Sequence, residues 1–247
     1  MEVSPVSCSS EELFSFISAR DPRTLRLLLD NPSLNEDHLI SLLRNPSVPA
    51  DVIQEITERS EWISRYKIQF AVVACPKTAY PLAMRLLPLL FWNDLVKVAG
   101  NHRLKPQLRR TAERYLRDKV SELSTGEKVT LARTGPRTVA LLLRNDTDAR
   151  VISALMRNAG MMEEDVLAIA NSDQAPSEVL AVIGVDYKWS PHYSVRLALV
   201  RNRATPLALA LSFISKLTRQ DLQALEKVPD INELLRRAAA RILNGNY

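Results

Sequence analysis

The sequence predicts an all-α protein built from repeated pairs of short helices. Three observations predict this fold class: the chain of 247 residues contains one long segment twice, apolar residues recur at helical spacing, and hairpin signals are nearly absent. Apolar residues three and four positions apart share one face of a helix. A repeated segment is typical of architectures in which each unit buries its apolar face against a neighbour.

The duplicated segment becomes visible when the chain is shifted by 127 residues. Asn31–Leu116 then falls on Asn158–Leu243 without a gap, and 21 of the 86 pairs are identical. We therefore predict that both segments form the same helices in the same order. The identical pairs include Pro49 with Pro176, Trp62 with Trp189, Tyr66 with Tyr193, and Asp94 with Asp221.

The recurring unit is an apolar helix, a short turn that contains Asn or Pro, and a second apolar helix. It is clearest in Leu39–Ile56, Val166–Ile183 and Leu197–Ile214. Asparagine suits the end of the first helix because it tolerates the left-handed conformation and can bond loose backbone groups. Proline suits the first turn of the second helix, where its missing N–H removes no hydrogen bond.

These repeats predict one continuous domain. We expect a disordered leader at residues 1–9 and a single α-solenoid at 10–247, made of two homologous halves, 10–123 and 124–247. The second half opens with Ser124-Thr-Gly-Glu-Lys128, which has the composition of a helix start. No flexible linker separates the halves.

Upstream of the gap-free match the two copies differ in length. Ala19–Asn31 resembles Ala132–Asn145 at an offset near 114 instead of 127. The second half therefore carries about 13 more residues, which is enough for one helical element of three turns. We expect this extra helix near 146–157.

Composition restricts the possible functions. The net charge is +5, and 24 of the 33 basic residues are arginines. An arginine-rich basic chain fits a nucleic acid or another anionic partner, although a GC-rich genome produces the same bias. The six glycines form neither GxGxxG nor a P-loop, which disfavours a phosphate-cradling loop. Cys8 and Cys75 are the only cysteines, which favours a reducing compartment.

The chain carries no targeting or membrane signal that we recognise. Its first ten residues have neither the basic region nor the apolar run of a signal peptide. The most apolar stretch, Tyr80–Trp92, contains Arg85 and two prolines and is shorter than the roughly 20 apolar residues of a membrane span. We expect a cytoplasmic protein with no membrane partner.

The segment Leu-Ala-Leu-Val-Arg-Asn-Arg-Ala-Thr-Pro-Leu-Ala-Leu at 197–209 resembles the bacterial HEAT-like repeats, especially the leucine-rich repeat variant type. The resemblance covers roughly residues 10–243 and implies a right-handed superhelix of short paired helices. One member type carries a four-cysteine iron–sulfur module before its repeats. This chain departs from that pattern because it has two cysteines, so the resemblance implies no cluster here.

Two basic stripes are the candidate binding residues. Apolar residues at 108, 112 and 116 form one face of the helix that starts at Pro106, and the arginines fall off that face. The resemblance implies that the second helix of each pair lines the concave face, where such stripes would suit phosphates or an acidic peptide. A solvated face with arginine stems over apolar neighbours is the alternative. The stripe residues are Arg110, Arg114 and Arg117 in the first copy, and Arg237 and Arg241 in the second.

Trp62 and Trp189 are weaker binding candidates. Each precedes a tyrosine by four residues and lies beside a basic residue, and such a set can stack on nucleobases. A tryptophan at an inter-repeat turn is more often a packing wedge, which is the interpretation we prefer.

No motif for catalysis or metal binding stands out. His38, His102 and His192 lie in separate units, whereas a structural metal site needs about four ligands. The acidic clusters Glu11-Glu12 and Glu163-Glu164-Asp165 lie where helices should begin, so capping explains them. No serine, cysteine or threonine stands beside an obvious base. We therefore expect no catalytic residue, no metal and no cofactor.

These observations favour a non-catalytic α-solenoid scaffold that binds another protein or a peptide through its concave face. The alternative is nucleic-acid binding through a basic concave groove, as in the HEAT-like DNA glycosylases. An enzyme of that glycosylase type is a third hypothesis, because one sequence would not reveal its catalytic carboxylate.

Overall fold

The computed structural model describes residues 4–228 and 231–245, and in that part of the chain it is all-helical. These residues form 18 α-helices and no strand, so the predicted all-α class is confirmed. The apolar periodicity of the sequence predicts roughly six or seven helix pairs, and the described residues contain more helices than that. One reason is that some turns are themselves helices of four residues, such as Ser60–Ile63.

Residue contacts divide the chain into two compact units, 1–119 and 120–247. The boundary lies four residues before the predicted division at 123. In the first unit, α1 to α9 are Ser10–Ile17, Pro22–Leu27, Glu36–Arg44, Ala50–Glu58, Ser60–Ile63, Tyr66–Ala74, Tyr80–Leu86, Trp92–Gly100 and Pro106–Val120. In the second unit, α10 to α18 are Thr125–Thr134, Arg137–Ala140, Ala149–Met156, Glu163–Ala170, Ser177–Val185, Tyr193–Arg201, Leu207–Ile214, Arg219–Glu226 and Glu233–Leu243. Short 3-10 helices follow α2, α7 and α11 at Leu28–Asp30, Leu87–Leu89 and Leu141–Leu143.

The helix bounds repeat at the offset of the sequence duplication. Adding 127 to the bounds of α4 and α6 gives the bounds of α14 and α15 at both ends. The helices α3, α7 and α8 differ from α13, α16 and α17 by one residue at one end. The four-residue α5 has a turn as its counterpart. From α3 to α8, every helix except α5 therefore has a counterpart in the second unit, in the same order.

Asparagine side chains join turns to segments that lie 23 to 32 residues earlier in the same unit. The Nδ2 of Asn202 donates to the carbonyls of Ala170 and Ser172 at 2.8 and 2.9 Å. Its Oδ1 accepts from the backbone N–H of Ala204 at 3.0 Å. Carbonyls at the end of a helix lack a partner within that helix, so the amide satisfies them. Four residues make such bonds, and we call them the turn asparagines: Asn31, Asn45, Asn158 and Asn202.

The expected left-handed conformation at these asparagines is wrong. No described residue other than glycine has a positive φ, and Asn45 and Asn202 have φ values of −65° and −78°. Asparagine therefore occupies these turns because its amide can donate and accept at once, and backbone tolerance plays no part.

The turn asparagines also locate the extra helix. Asn31 and Asn158 each donate to two carbonyls that lie 26 and 23 residues upstream. The offset of 127 therefore extends upstream as far as Pro5, and α12 becomes the counterpart of α2. Both of these helices begin at an aspartate N-cap, Asp21 or Asp148. The extra helix of the second unit is α10, and our expectation of an extra helix near 146–157 is wrong.

Part of the expected disordered leader packs onto the first unit. Cys8 is 4% exposed, and the carbonyl of Pro5 accepts the Nδ2 of Asn31 at 2.9 Å. Burial and hydrogen bonding show that the leader prediction for 1–9 is wrong for these residues. Residues 1–3 lie outside the described part of the chain.

Capping accounts for the predicted helix starts. Ser124 forms a capping box with Glu127 at the start of α10, which confirms the helix start predicted there. Glu12 accepts from the backbone N–H of Ser9 at 2.9 Å, and Asp165 accepts from that of Met162 at 2.9 Å. The predicted capping role is thus confirmed for one residue of each acidic cluster.

We predict that Asn158→Ala lowers the free energy of unfolding by about 2–3 kcal/mol, because two carbonyls and one N–H lose their buried partner together. Urea unfolding followed by circular dichroism measures the change. Asn145→Ala is the matched control, since Asn145 is exposed in the same unit and its loss should be close to neutral. Equal effects of the two substitutions would contradict the role assigned to the turn asparagines.

Candidate functional site

The stripe arginines are exposed, as the sequence predicts. On α9, Leu108, Ala112 and Leu116 are buried, and on α18, Leu235 and Ala239 are buried. Leu243, expected to complete the second apolar face, is only half-buried. The five arginines of the stripes all lie off these faces and are exposed: Arg110, Arg114, Arg117, Arg237 and Arg241.

One arginine of each stripe has a neighbour that bears on its charge. The Nε of Arg237 lies 3.0 Å from a carboxylate oxygen of Glu233, so part of the charge on α18 is neutralised. The guanidinium of Arg114 lies 5.8 Å from the ring of Tyr115. The position of the two arginine stripes on a concave face stays a prediction.

The two tryptophans have different environments. Trp189 is 3% exposed, and its indole N–H donates to the carbonyl of Met156 at 3.0 Å. It packs as the expected wedge. Trp62 is half-buried, with the guanidinium of Arg59 4.5 Å from its ring. Arg59 donates at 3.0 Å to Leu29, whose carbonyl is the counterpart of that of Met156. An arginine thus replaces the indole as donor in the first unit.

The histidines have structural partners or lie at the surface. His38 is fully buried, and its Nδ1 accepts from the backbone N–H of Asn35 at 3.2 Å. His192 lies 3.0 Å from Glu163, and His102 is exposed. In the described residues, no group of three or more His, Cys, Asp or Glu side chains is arranged to hold a metal ion.

A tyrosine and an aspartate hold the start of one helix in each unit. The hydroxyl of Tyr66 accepts from the backbone N–H of Phe91 at 3.0 Å and donates to Asp94 at 2.6 Å. Tyr193 and Asp221 repeat both contacts at the start of α17. Burial, followed by the hydrogen bond to Asp94, raises the pKa of Tyr66 to about 12. The phenol therefore stays protonated at neutral pH and keeps donating.

Beside Tyr66 the first unit has an open cleft of about 470 Å³, bounded by α3, α6, α8 and the turns that follow α6 and α8. Its volume is within the range of sites that bind small ligands or partner side chains. Part of its wall is apolar and contains one aromatic ring. The apolar residues are Ile40, Leu43, Phe70, Ala71 and Ala74.

The cleft is strongly basic. Four cationic residues line it against one carboxylate, that of Asp94. Lys97 is paired with Asp94 at 2.7 Å and lies 5.2 Å from the ring of Phe70. Among the described residues, no carboxylate forms an ion pair with the other three cations. These three are exposed: Arg44, Lys67 and Arg103.

The second unit carries none of these cations. At each of the four positions its sequence has a neutral or acidic residue. In addition, Arg201 stands where the first unit has Ala74, and its guanidinium lies 3.1 Å from Asp221. A long side chain thus replaces a small cleft residue. The counterparts of Arg44, Lys67, Lys97 and Arg103 are Asn171, Ser194, Ala224 and Asp230.

Sequence reasoning missed this cleft because it concentrated on features that the two copies share. Of the cleft residues, Tyr66 and Asp94 were named only as members of identical pairs, and Cys75 only as one of the two cysteines. The useful signal was the opposite one, namely positions where one copy has a cation and the other has none. That comparison needs only the 127-residue offset. However, the four cations are spread over 59 residues of sequence, from Arg44 to Arg103, so the sequence alone does not show that they share a cleft.

Comparison of the chain with known protein families, with curated proteins and with solved structures gives no match. None of the described helices is both long enough and apolar enough to span a membrane.

We predict that Tyr193→Phe lowers stability in a pH-dependent way. The hydrogen bond from Tyr193 is the main cause that lowers the pKa of Asp221 below its ordinary value of 3.8. A carboxylate with a depressed folded-state pKa contributes stability above its unfolded pKa, and this contribution is lost as the pH falls through the folded value. The stability difference between wild type and variant should thus be full at pH 6 and shrink below about pH 4.

Urea unfolding at a series of pH values measures this difference. Tyr187→Phe is the control, because Tyr187 is 86% exposed in the same unit and its removal should have no effect at any pH. A difference that grows towards acid would contradict the assignment.

Proposed function

We propose that the protein is a non-catalytic α-solenoid scaffold that binds another protein, and that the basic cleft of the first unit takes an acidic peptide segment of that partner. The solenoid part of the proposal is supported by short paired helices whose bounds and turn bonds recur within the chain. The proposal further states that the helices form a right-handed superhelix of HEAT-like type and that the cleft lies on its concave face.

One observation carries the proposal: four positions of the cleft are cationic in one copy of a duplicated segment and neutral or acidic in the other. Both units use the same tyrosine and aspartate to hold a helix start, so that pair serves the fold. The second unit folds into the same helices without Arg44, Lys67 or Arg103. These side chains are therefore not needed for folding, and their clustering on an open cleft favours recognition of an anion.

The chemistry of the cleft fits a peptide with carboxylates beside an apolar side chain. Exposed arginines and lysines attract carboxylates and bind them through charge-assisted hydrogen bonds. Phe70 and the aliphatic wall can receive a leucine or phenylalanine of the partner, and burial of apolar area supplies affinity that surface ion pairs lack. No glycine lines the cleft, so it has no glycine-rich backbone for cradling phosphate.

Three groups in the cleft that could act as acid or base are committed to each other. Tyr66 donates to Asp94, and Lys97 pairs with the same carboxylate at 2.7 Å. Proton transfer to a ligand would require these bonds to break first. The arrangement therefore supports binding without catalysis.

Nucleic-acid binding through the arginine stripes is the second candidate. It is supported by the exposure of all five stripe arginines, because exposed cations along a helix can contact phosphates. A DNA glycosylase activity would be an extension of this candidate.

We predict that Arg44→Asn with Lys67→Ser weakens binding of acidic peptides about tenfold or more, since two charge-assisted contacts are lost. The substituted residues are those that the second unit has at these positions, so the fold should persist. The probe is an array of short peptides that combine aspartate or glutamate with one leucine or phenylalanine. The best peptide is then measured by fluorescence anisotropy over a range of salt concentrations.

Arg110→Gln with Arg114→Gln is the matched control, because it removes the same charge from an exposed helix of the same unit. This control should leave peptide binding unchanged. If it weakens binding as much as the cleft variant, the proposed site is wrong. Salt-dependent binding of duplex DNA that is lost in the control variant, with no peptide bound by the wild type, would replace the proposal by the nucleic-acid function.

A further inference from the structure

The floor of the basic cleft differs from its counterpart by one turn asparagine. Position 202 of the second unit is Asn202, and the residue 127 positions before it is Cys75. Cys75 lines the cleft and is 5% exposed. It stands where the pattern of turn asparagines calls for an amide.

The substitution leaves two backbone carbonyls without their side-chain donor. Asn202 donates to the carbonyls of Ala170 and Ser172 at 2.8 and 2.9 Å, and the residues at those positions of the first unit are Leu43 and Asn45. Among the described residues, no side chain donates to either of these carbonyls. The carbonyl of Asn45 accepts from the backbone N–H of Val48 at 3.1 Å, as that of Ser172 does from Ala175, and each of these oxygens has a second lone pair. Thiols are weak donors, and Cys75 itself makes no hydrogen bond through its sulfur.

One of the two carbonyls belongs to Leu43, a cleft residue, and the other belongs to Asn45, which follows the cleft residue Arg44. Leu43 and Arg44 both line it, and α3 ends at Arg44. A helix C-terminus carries partial negative charge and accepts hydrogen bonds from donors. A ligand that fits here therefore needs N–H groups for the floor and carboxylates for the rim.

We infer that the peptide of the proposed function binds with its main chain against the end of α3, where its backbone N–H groups donate to the carbonyls of Leu43 and Asn45. This inference rests on the proposed function. A peptide main chain carries an N–H beside every side chain, so it supplies donors and carboxylates together. The phosphodiester backbone of a nucleic acid carries acceptors only, which makes it a poorer match to this floor.

The proposed ligand N–H groups take the place that the amide of Asn202 has in the second unit. A cysteine side chain ends one atom beyond its Cβ, whereas an asparagine amide reaches the neighbouring helix. Cys75→Asn should therefore satisfy the two carbonyls from within the protein, as Asn202 does, and displace the peptide N–H groups. The expected signature is weaker binding by a protein whose stability is equal to or higher than that of the wild type.

The experiment combines this variant with changes in the ligand. The probe is the best acidic peptide from the array, together with a set in which each backbone nitrogen in turn is methylated, since methylation removes one donor. We expect methylation at one or two positions to weaken binding to the wild type about tenfold. Cys75→Asn should weaken binding of the parent peptide by a similar factor. Peptides methylated at the positions that matter should bind the variant and the wild type with equal affinity.

Cys75→Ala is the matched control, because it leaves the carbonyls open and should keep the wild-type affinity. Urea unfolding of both variants checks the fold, and the methylation scan on the wild type needs no variant. If the peptide binds and requires Arg44 and Lys67, but no methylation and no Cys75→Asn effect is seen, the inference is overturned while the proposed function stands. If no peptide binds, or only a nucleotide or oligonucleotide binds, both fall.

Discussion

Hydrogen-bond satisfaction at helix ends is the constraint on which the rest of the fold depends. Short helices have a large share of their carbonyls in the last turn, where no intrahelical donor exists. The turn asparagines meet this need, because Oδ1 bonds the turn that follows while Nδ2 reaches an earlier helix. Aspartate lacks the donor and serine lacks the reach. The need for both explains why asparagine recurs at equivalent turns.

The same constraint explains how an open cleft can arise in one of two duplicated units. In the second unit, Asn202 bonds the preceding carbonyls and Arg201 extends to Asp221. The first unit has Cys75 and Ala74 at these positions. With these two shorter side chains, two carbonyls have no side-chain donor, and open space lies beside Leu43. In the first unit, Lys97 pairs with Asp94, and both residues belong to α8. The carboxylate of Asp94 is therefore neutralised without an arginine at position 74, where it would occupy the cleft.

Much of the fold could be predicted from the sequence, because apolar spacing and the duplication are local or pairwise patterns. The apolar face at Leu108, Ala112 and Leu116, the exposure of the stripe arginines and the helix start at Ser124 all follow from such patterns. The identity of α10 as the extra helix could not, because it depends on which carbonyl Asn158 reaches 26 residues away. The burial of Cys8 escaped for the same reason. The cleft could not be predicted either, because it results from short side chains at two positions, and short side chains form no recognisable sequence motif.

An internal duplication separates what a residue does for the fold from what it does for function. Arginines shared by both copies illustrate the first role: Arg109 donates to the carbonyl of Ala99 at 3.2 Å, and Arg236 donates to that of Val228 at 3.1 Å. Each satisfies a carbonyl at or just beyond the end of the preceding helix, which both units need. The stripe arginines at 110 and 114 are shared as well, whereas Arg44 and Lys67 are not. Because the second unit folds without these two cations, packing does not account for them, and this is why we propose that the cleft of the first unit recognises an anion.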